Sequence, residues 1–445
     1  MRLFGTDGVR GLANGEVLTP ELTLAVARSA AHELLALRTG SVSGSGRPLA
    51  VIGRDTRPSG PMLEAAAAAG FASAGVDVQL LGVVPTPVVA YACARGGADL
   101  GLVVSASHNA MPDNGLKLFG PGGWKLPDAV EVGIEAGLHA ARDRPTGLGL
   151  GRITAATDVV TAYAQGLLET LAARPAGLVV VVDCAEGAAW ALAPELYRQA
   201  GAQVIAIAAS GDGERINDGS GATHLELLQA AVLAHGADLG LAHDGDADRC
   251  LAVDATGAVV DGDQLLALLA VAMQSRGALP TGTVVATVMS NLGFVRAMGE
   301  HGIQVVQTAV GDRYVLEAMR AGGHALGGEQ SGHTVMLGHA TTGDGLLTGL
   351  SVLGRMAETG SSLASLASVM TRLPQVLVNV RAMRTRASDA DVLDAVAREE
   401  GLLGATGRVL LRPSGTESLV RVMVEAESAA QAAEVADRLA AVVGR

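Results

Sequence analysis

The chain has 445 residues, 49% of them apolar, and carries a formal net charge of −13. That length suggests about three domains of roughly 150 residues each, and the negative balance speaks against an unspecific nucleic-acid binder, which offers phosphates a broad basic face. The obvious apolar run, residues 265–273, is too short to cross roughly 30 Å of hydrocarbon, so no membrane partner is expected.

Taken in chain order, the opening stretch MRLFGTDGVRG lacks the apolar core and cleavage site of a secretory signal. Cys93, Cys184 and Cys250 are widely spaced with no CxxC pair, which disfavours a disulfide scaffold or a zinc site and fits a reducing cytoplasm. Apolar strand-like runs alternate with helical patterns to about residue 350. This predicts an α/β protein with repeated βαβ units and mixed, mainly parallel sheets. Three runs, 49–52, 178–182 and 283–288, are each followed by a turn-rich segment, a helix and a second strand; those second strands open GVDV at 75, GAQV at 201 and GIQV at 302. The hexapeptide GADLGL at 97–102 returns at 236–241, with the echo GHALGG at 323–328. Three similar α/β domains are predicted. Residues 361–373 read as a linker, and short strands at 376–380, 409–411 and 420–424, with helices near 389–400 and up to Val443, predict a smaller C-terminal α+β domain. The expected domain limits are 1–155, 156–254, 255–370 and 371–445.

The unusual chemistry follows the repeated strands, in the loops SASHN at 105–109, HDGDADR at 243–249 and GEQSGH at 328–333. Ligands of open parallel sheets bind outside the carboxyl ends of strands, so the three loops are expected to converge on one cleft. Ser107 reads as an exposed serine where a strand meets a polar turn; without a G-x-S-x-G elbow, acyl transfer is disfavoured and phosphoryl chemistry stays open, as does simple turn capping. Asp244, Asp246 and Asp248 occupy alternate positions, which in an extended chain aims three carboxylates at one point. Two unit charges about 4 Å apart repel by roughly 4 kcal/mol at an effective dielectric near 20, so the triad calls for a hard cation. Arg249 and Ala255 stand where an EF-hand calcium loop needs Gly and Glu, so Mg²⁺ is the better match, with a solvated acidic turn as the other reading. The turn RPSGTE, 412–417, with Arg421 beyond it, offers guanidinium, hydroxyl and backbone donors to a phosphate, a plain capping turn being the other reading. Of 32 basic residues only Lys117 and Lys125 are lysines. A lysine kept against an arginine bias suggests proton transfer, which guanidinium performs poorly; for Lys125 a surface lysine accounts equally well.

FGTDGVRG at 4–11, SASHN, DGDADR, GEQSGH and RPSGTE, in that order, resemble the α-D-phosphohexomutase superfamily, and with 289–292 (MSNL), 310–314 (VGDRY) and 341–345 (TTGDG) they resemble its bacterial phosphoglucosamine mutase branch. The resemblance spans the whole chain. It implies a heart-shaped molecule around a central cleft and an isomerase interconverting glucosamine 6-phosphate and glucosamine 1-phosphate, feeding UDP-N-acetylglucosamine and cell-wall synthesis. Ser107 would be the phosphoserine, first charged by a kinase or a bisphosphate, with glucosamine 1,6-bisphosphate as intermediate and activator. One Mg²⁺ would sit on Asp244, Asp246, Asp248 and the Ser107 phosphate. Arg10, His108, Lys117 and Arg249 would flank the reacting phosphate, with Lys117 the candidate for proton transfer. Glu329 and Ser331 would bind sugar hydroxyls, and Arg412, Ser414, Gly415, Thr416 and Arg421 would hold the distal phosphate. A homodimer is left open. Ala110 and Ala247 stand where relatives commonly have proline and glycine. The rival readings are a phosphomannomutase or phosphoglucomutase, a Mg²⁺-dependent sugar phosphatase and a non-catalytic phosphosugar sensor.

Overall fold

A computed structural model of the chain describes residues 3–5, 7–36, 47–140, 144–413 and 418–444. The apolar runs become strands whose connections repeat three times. In the first sheet β1 (Val9–Leu12), β2 (Leu49–Arg54), β3 (Asp77–Val83), β4 (Leu100–Val104), β5 (Asp113–Phe119) and β6 (Ile153–Ala155) lie in the order β1-β5-β4-β2-β3-β6. The second holds β7 (Val179–Asp183), β8 (Gln203–Ile207), β9 (Leu239–His243), β10 (Cys250–Asp254) and β11 (Val259–Val260), ordered β11-β10-β9-β7-β8. The third holds β12 (Thr283–Thr287), β13 (Gln304–Thr308), β14 (Leu326–Gly328) and β15 (Thr334–Met336), ordered β13-β12-β14-β15.

The shared plan is a central strand (β2, β7, β12) flanked by two parallel partners, the second of which (β4, β9, β14) turns back antiparallel into β5, β10 or β15. The sequence repeats mark the same places. Gly75, Gly201 and Gly302 precede the flanking strands, Gly97, Gly236 and Gly323 precede the turning strands, and all six have the left-handed φ that favours glycine. Each central and turning strand is buried almost throughout, as expected of parallel strands covered on both faces.

These sheets fall in one compact unit, Met1–Met289 with Ile303–Ser368. The second unit comprises Ser290–Gly302 and Val369–Arg445. In it β16 (Gln375–Arg381), β17 (Arg408–Pro413) and β18 (Leu419–Glu425) form an antiparallel sheet ordered β16-β18-β17, packed through Val392, Val422 and Leu439 on the helices Ala390–Leu403 and Ala429–Val443. The expected linker at 361–373 contains the helix Leu363–Ala367, started by Ser362, whose Oγ accepts from the Ser365 N–H, and anchored by the buried Leu363. Residues 265–273 lie in the largely buried helix Gly262–Ser275, and no helix among the described residues is long and apolar enough to cross a membrane.

Candidate active site

β4 carries the chain into the loop at 105–112 and leaves Ser107 with φ +52°, a left-handed conformation rare for a residue with a Cβ. Its N–H donates to Ser105 Oγ (2.9 Å), and its Oγ donates to Asp244 Oδ2 (2.6 Å) and lies 3.3 Å from His108 Nδ1. The expected exposed serine is instead 1% exposed. The loop after β9 covers it: a Cβ on Gly245 would stand 2.5 Å from the Ser107 carbonyl oxygen, which also accepts from Asn217 Nδ2 at 2.9 Å. Burial, then the charges of Arg249 and Arg10, pushes the His108 imidazole down to about 4, so it is neutral at pH 7.

Asp244, Asp246 and Asp248 bring ligating oxygens within 4.8 Å of one another, all three side chains buried. They converge through a tight turn rather than the extended run expected: the Ala247 N–H donates to the Asp244 carbonyl (3.0 Å), and Ala247 takes φ +56°. That left-handed alanine is why glycine suits the position. The turn is clamped from behind, because the Gly345 N–H donates to the Ala247 carbonyl (3.0 Å) and Thr86 donates to Asp246 through both Oγ1 (2.6 Å) and N–H (2.9 Å). Burial and the neighbouring Asp248 and Asp246 hold the Asp244 carboxyl well above the ordinary range. For Asp248, burial pushes upward, but the charges of Lys117, His333 and Arg249 together outweigh it and draw the carboxyl down to about 2. Among the described residues Asp246 Oδ1 and Asp248 Oδ1 are buried with no hydrogen-bond partner. Hard oxygens, repelling charges and unsatisfied lone pairs fit a divalent cation.

Lys117 Nζ sits 2.7 Å from Asp246 Oδ2, 3.0 Å from Asp248 Oδ2 and 3.1 Å from Asp7 Oδ2, and is 3% exposed. Burial alone would lower its pKa, but Asp246, Asp248 and Asp7 outweigh that and raise it well above the usual lysine value. Lys125 is no surface lysine; it pairs with Asp7 Oδ1 and with Asp312, and Asp312 lies 3.5 Å from His333 Nε2. Asp7 and Asp312 carry no local signal of their own in the sequence; only the scarcity of lysine points toward them, through their partners Lys117 and Lys125.

A cavity of about 410 Å³ opens beside these groups, lined by Arg10, His108, Asp248, Arg249, Glu329 and His333 among others. Its size suits a small polar ligand. The three loops thus meet, as their equivalent positions implied. Glu329 is oriented by the Gly311 N–H on Oε1 (3.1 Å), and Arg10 by Asp7 (2.7 Å). Ser331 does not line the cavity, and its buried Oγ has no hydrogen-bond partner among the described residues.

In the second unit Arg412 and Arg421 are direct cross-strand partners on β17 and β18. Burial, then the like charge of Arg421, lowers the Arg412 pKa, and Arg421 Nε is buried without a hydrogen-bond partner among the described residues. Like charges facing each other across a ladder are destabilising, so the pair is suited to an anion. Ser414, Gly415 and Thr416 lie outside the described residues.

Four family models match in sequence: Phosphoglucomutase/phosphomannomutase alpha/beta/alpha domains I, II and III over residues 1–144, 161–257 and 261–373, and the C-terminal domain over 377–442. A phosphoglucosamine mutase of Frankia casuarinae is 62% identical over 100% of this chain and 98% of its own length. That of Saccharopolyspora erythraea is 60% identical over 99% of each. Among solved structures, a phosphoglucomutase/phosphomannomutase family protein of Burkholderia thailandensis matches with a TM-score of 0.83 and 26% identity, covering 99% of this chain and 97% of that one. An Aspergillus fumigatus N-acetylphosphoglucosamine mutase, solved with GlcNAc-6P and magnesium, shares the fold at a TM-score of 0.67 and 19% identity, covering 99% and 95%.

Proposed function

The chain belongs to the phosphoglucomutase/phosphomannomutase family and, within it, to the phosphoglucosamine mutases, and on that footing we propose how its residues carry the isomerisation. Ser107 is the phosphate carrier between glucosamine 6-phosphate and glucosamine 1-phosphate. The observation that carries this is its Oγ, buried 2.6 Å from Asp244 in a three-carboxylate cluster that fits a cation. The Ser107 O–P bond breaks as a new P–O bond forms to the sugar O1, and in net the O1 proton is replaced on the freed serine oxygen, which returns to a hydroxyl. The resulting 1,6-bisphosphate turns around and returns its 6-phosphoryl group to Ser107.

Asp244, Asp246, Asp248 and the Ser107 phosphate would hold one Mg²⁺, which when bound neutralises charge on the phosphate oxygens. Arg10 and Arg249, both lining the cavity, meet the charge that spreads over the group in flight, where positioned cations lower the barrier most. Neutral His108 adds a hydrogen-bonding group beside Ser107 without repelling Arg249. Lys117, which its three carboxylate neighbours favour as an ammonium, would donate rather than accept a proton, and its proposed step is protonation of the serine oxygen as phosphate departs. Glu329, fixed through one oxygen, keeps the other for sugar hydroxyls, with Ser331 beside it. Arg412 and Arg421, with Ser414, Gly415 and Thr416, take the phosphate that is not in transit. Glucosamine 1,6-bisphosphate or a kinase supplies the first phosphate, and the three buried unpaired cysteines accord with work in the cytoplasm.

The test is to treat the protein with glucosamine 1,6-bisphosphate, measure its intact mass, and assay glucosamine 6-phosphate, glucose 1-phosphate and mannose 1-phosphate side by side. One added phosphate, lost in Ser107→Ala, with preference for the amino sugar is expected. Preference for a neutral hexose would overturn the amino-sugar reading, and release of inorganic phosphate without isomerisation would make the protein a phosphatase.

A further inference from the structure

Arg57 is fully buried, and heads the largest side chains so enclosed. No substrate reaches it. It stands in the turn after β2, in the run GRDTRPSG at 53–60. All five of its N–H donors have a place to go. Nε pairs with Asp55 Oδ2 at 2.9 Å. One terminal nitrogen donates to the carbonyls of Ala110 (2.5 Å) and Asp113 (3.0 Å), the other to those of Ser107 (3.1 Å) and Asn109 (2.7 Å). Three carbonyls of the loop joining β4 to β5, and that of Asp113 at the start of β5, thus point at one guanidinium.

The same ion pair holds the other end of the Ser107 residue. Asp55 Oδ2 accepts from Ser105 Oγ (2.6 Å), and Ser105 Oγ in turn accepts from the Ser107 N–H (2.9 Å). The Ser107 carbonyl is tied to Arg57 directly and its N–H through Ser105 and Asp55. A serine released from such ties prefers a negative φ, and its own is +52°. Rotation to that preferred range would swing Oγ away from Asp244. Asn217 supplies a second tether, donating to the Ser107 (2.9 Å) and Asn109 (3.1 Å) carbonyls. It grips only the carbonyl side. The Arg57–Asp55 pair grips both.

We infer that Arg57 is a positioning residue for the transfer: through Asp55 and Ser105 it holds Ser107 in its left-handed conformation, with the side-chain oxygen on the acidic loop. The inference rests on the reading of Ser107 as phosphate carrier. Lysine, with three donors on one nitrogen, cannot replace the five-way arrangement.

The experiment compares full-length wild type, Arg57→Lys and Ser105→Ala after loading with glucosamine 1,6-bisphosphate, by intact mass, by the ³¹P resonance of the phosphoserine, and by kcat and KM for glucosamine 6-phosphate. For Arg57→Lys we expect kcat about 100-fold lower, the scale of an ångström-level misplacement, with KM within roughly threefold because no sugar-binding group is disturbed, and a displaced phosphoserine resonance. A kcat within about twofold of wild type, or an unmoved resonance with activity lost only in step with folded protein, overturns the inference. Should Arg57→Lys not fold, Ser105→Ala, which cuts only the link from the Ser107 N–H to Asp55, is expected to lower kcat about tenfold at constant KM, the scale of one lost hydrogen bond; full activity there overturns it equally. Wild type that takes up no phosphate at Ser107 defeats the carrier reading and this inference together, whereas phosphorylated wild type alongside an unimpaired Arg57→Lys defeats this inference alone.

Discussion

Lys117 and Lys125, the only lysines beside 30 arginines, grip opposite oxygens of one carboxylate: Asp7 Oδ2 lies 3.1 Å from Lys117 Nζ and Oδ1 2.5 Å from Lys125 Nζ. An ammonium points three donors at acceptors arranged around a single atom, whereas guanidinium spreads its donors across a plane. Both positions therefore need the smaller cation. Lys117→Arg, despite keeping the charge, should lose most of its turnover, on the order of 100-fold in kcat. Near-normal turnover would remove Lys117 from proton transfer. Lys125→Met should be the more destabilising of the two, by about 3–5 kcal/mol in a denaturant titration, because it leaves Asp7 and Asp312 buried with one cation fewer.

Ser107→Ala should abolish turnover yet leave the fold intact, since the lost hydroxyl makes one main hydrogen bond, to Asp244. Circular dichroism and melting should match wild type within a few degrees, while kcat falls below detection. Residual mutase activity would put the phosphate on another residue.

Stripping divalent ions with a chelator should remove activity and lower the melting temperature, and Mg²⁺ should restore both. The three buried carboxylates repel one another without a cation, and a ligand at 100 times its dissociation constant stabilises by about 2.7 kcal/mol. Equal melting temperatures with chelator and with Mg²⁺ would count against Asp244, Asp246 and Asp248 as its site.

Asp183, at the end of β7, is pushed up to about 6 by burial, against the N–H donors of Gly221 and Ala185. A raised carboxyl binds its proton more tightly folded than unfolded. Its stabilising contribution is therefore complete below about pH 4 and is lost as pH rises through about 6. Asp183→Asn should flatten the fall in unfolding free energy over that window; an unchanged slope would assign the pH dependence elsewhere, with Asp344, raised to about 6 by burial, the next candidate.

Arg421→Ala should split stability from binding. Removing one of two facing guanidiniums relieves like-charge repulsion with Arg412, so the C-terminal unit should melt no lower than in wild type, while KM for the sugar phosphate rises at least about tenfold from the loss of a charge-assisted contact. A falling melting temperature with unchanged KM would make Arg421 a structural residue.

Much of this protein is legible in its residues. The repeats at 97–102 and 236–241 encode a helix end, a left-handed glycine and a buried strand, all local features, so they located the three equivalent loops that hold Ser107, Asp244 and Glu329. Composition alone singled out the two lysines. What local pattern could not supply is which surfaces face each other. Ser107 looked exposed because the segment covering it, with Asn217 and Gly245, lies more than 100 residues away, and the acidic loop converges by a left-handed turn at Ala247 that alternation did not suggest. Arg57 is the sharpest case. An arginine in a polar turn reads as solvated, and only the folded chain, by bringing the distant carbonyls of Ser107, Asn109, Ala110 and Asp113 around it, makes burying that charge favourable. Chain-local chemistry determined the site's ingredients; long-range packing decided their orientation, because a buried charge or strained φ persists only where tertiary contacts compensate it.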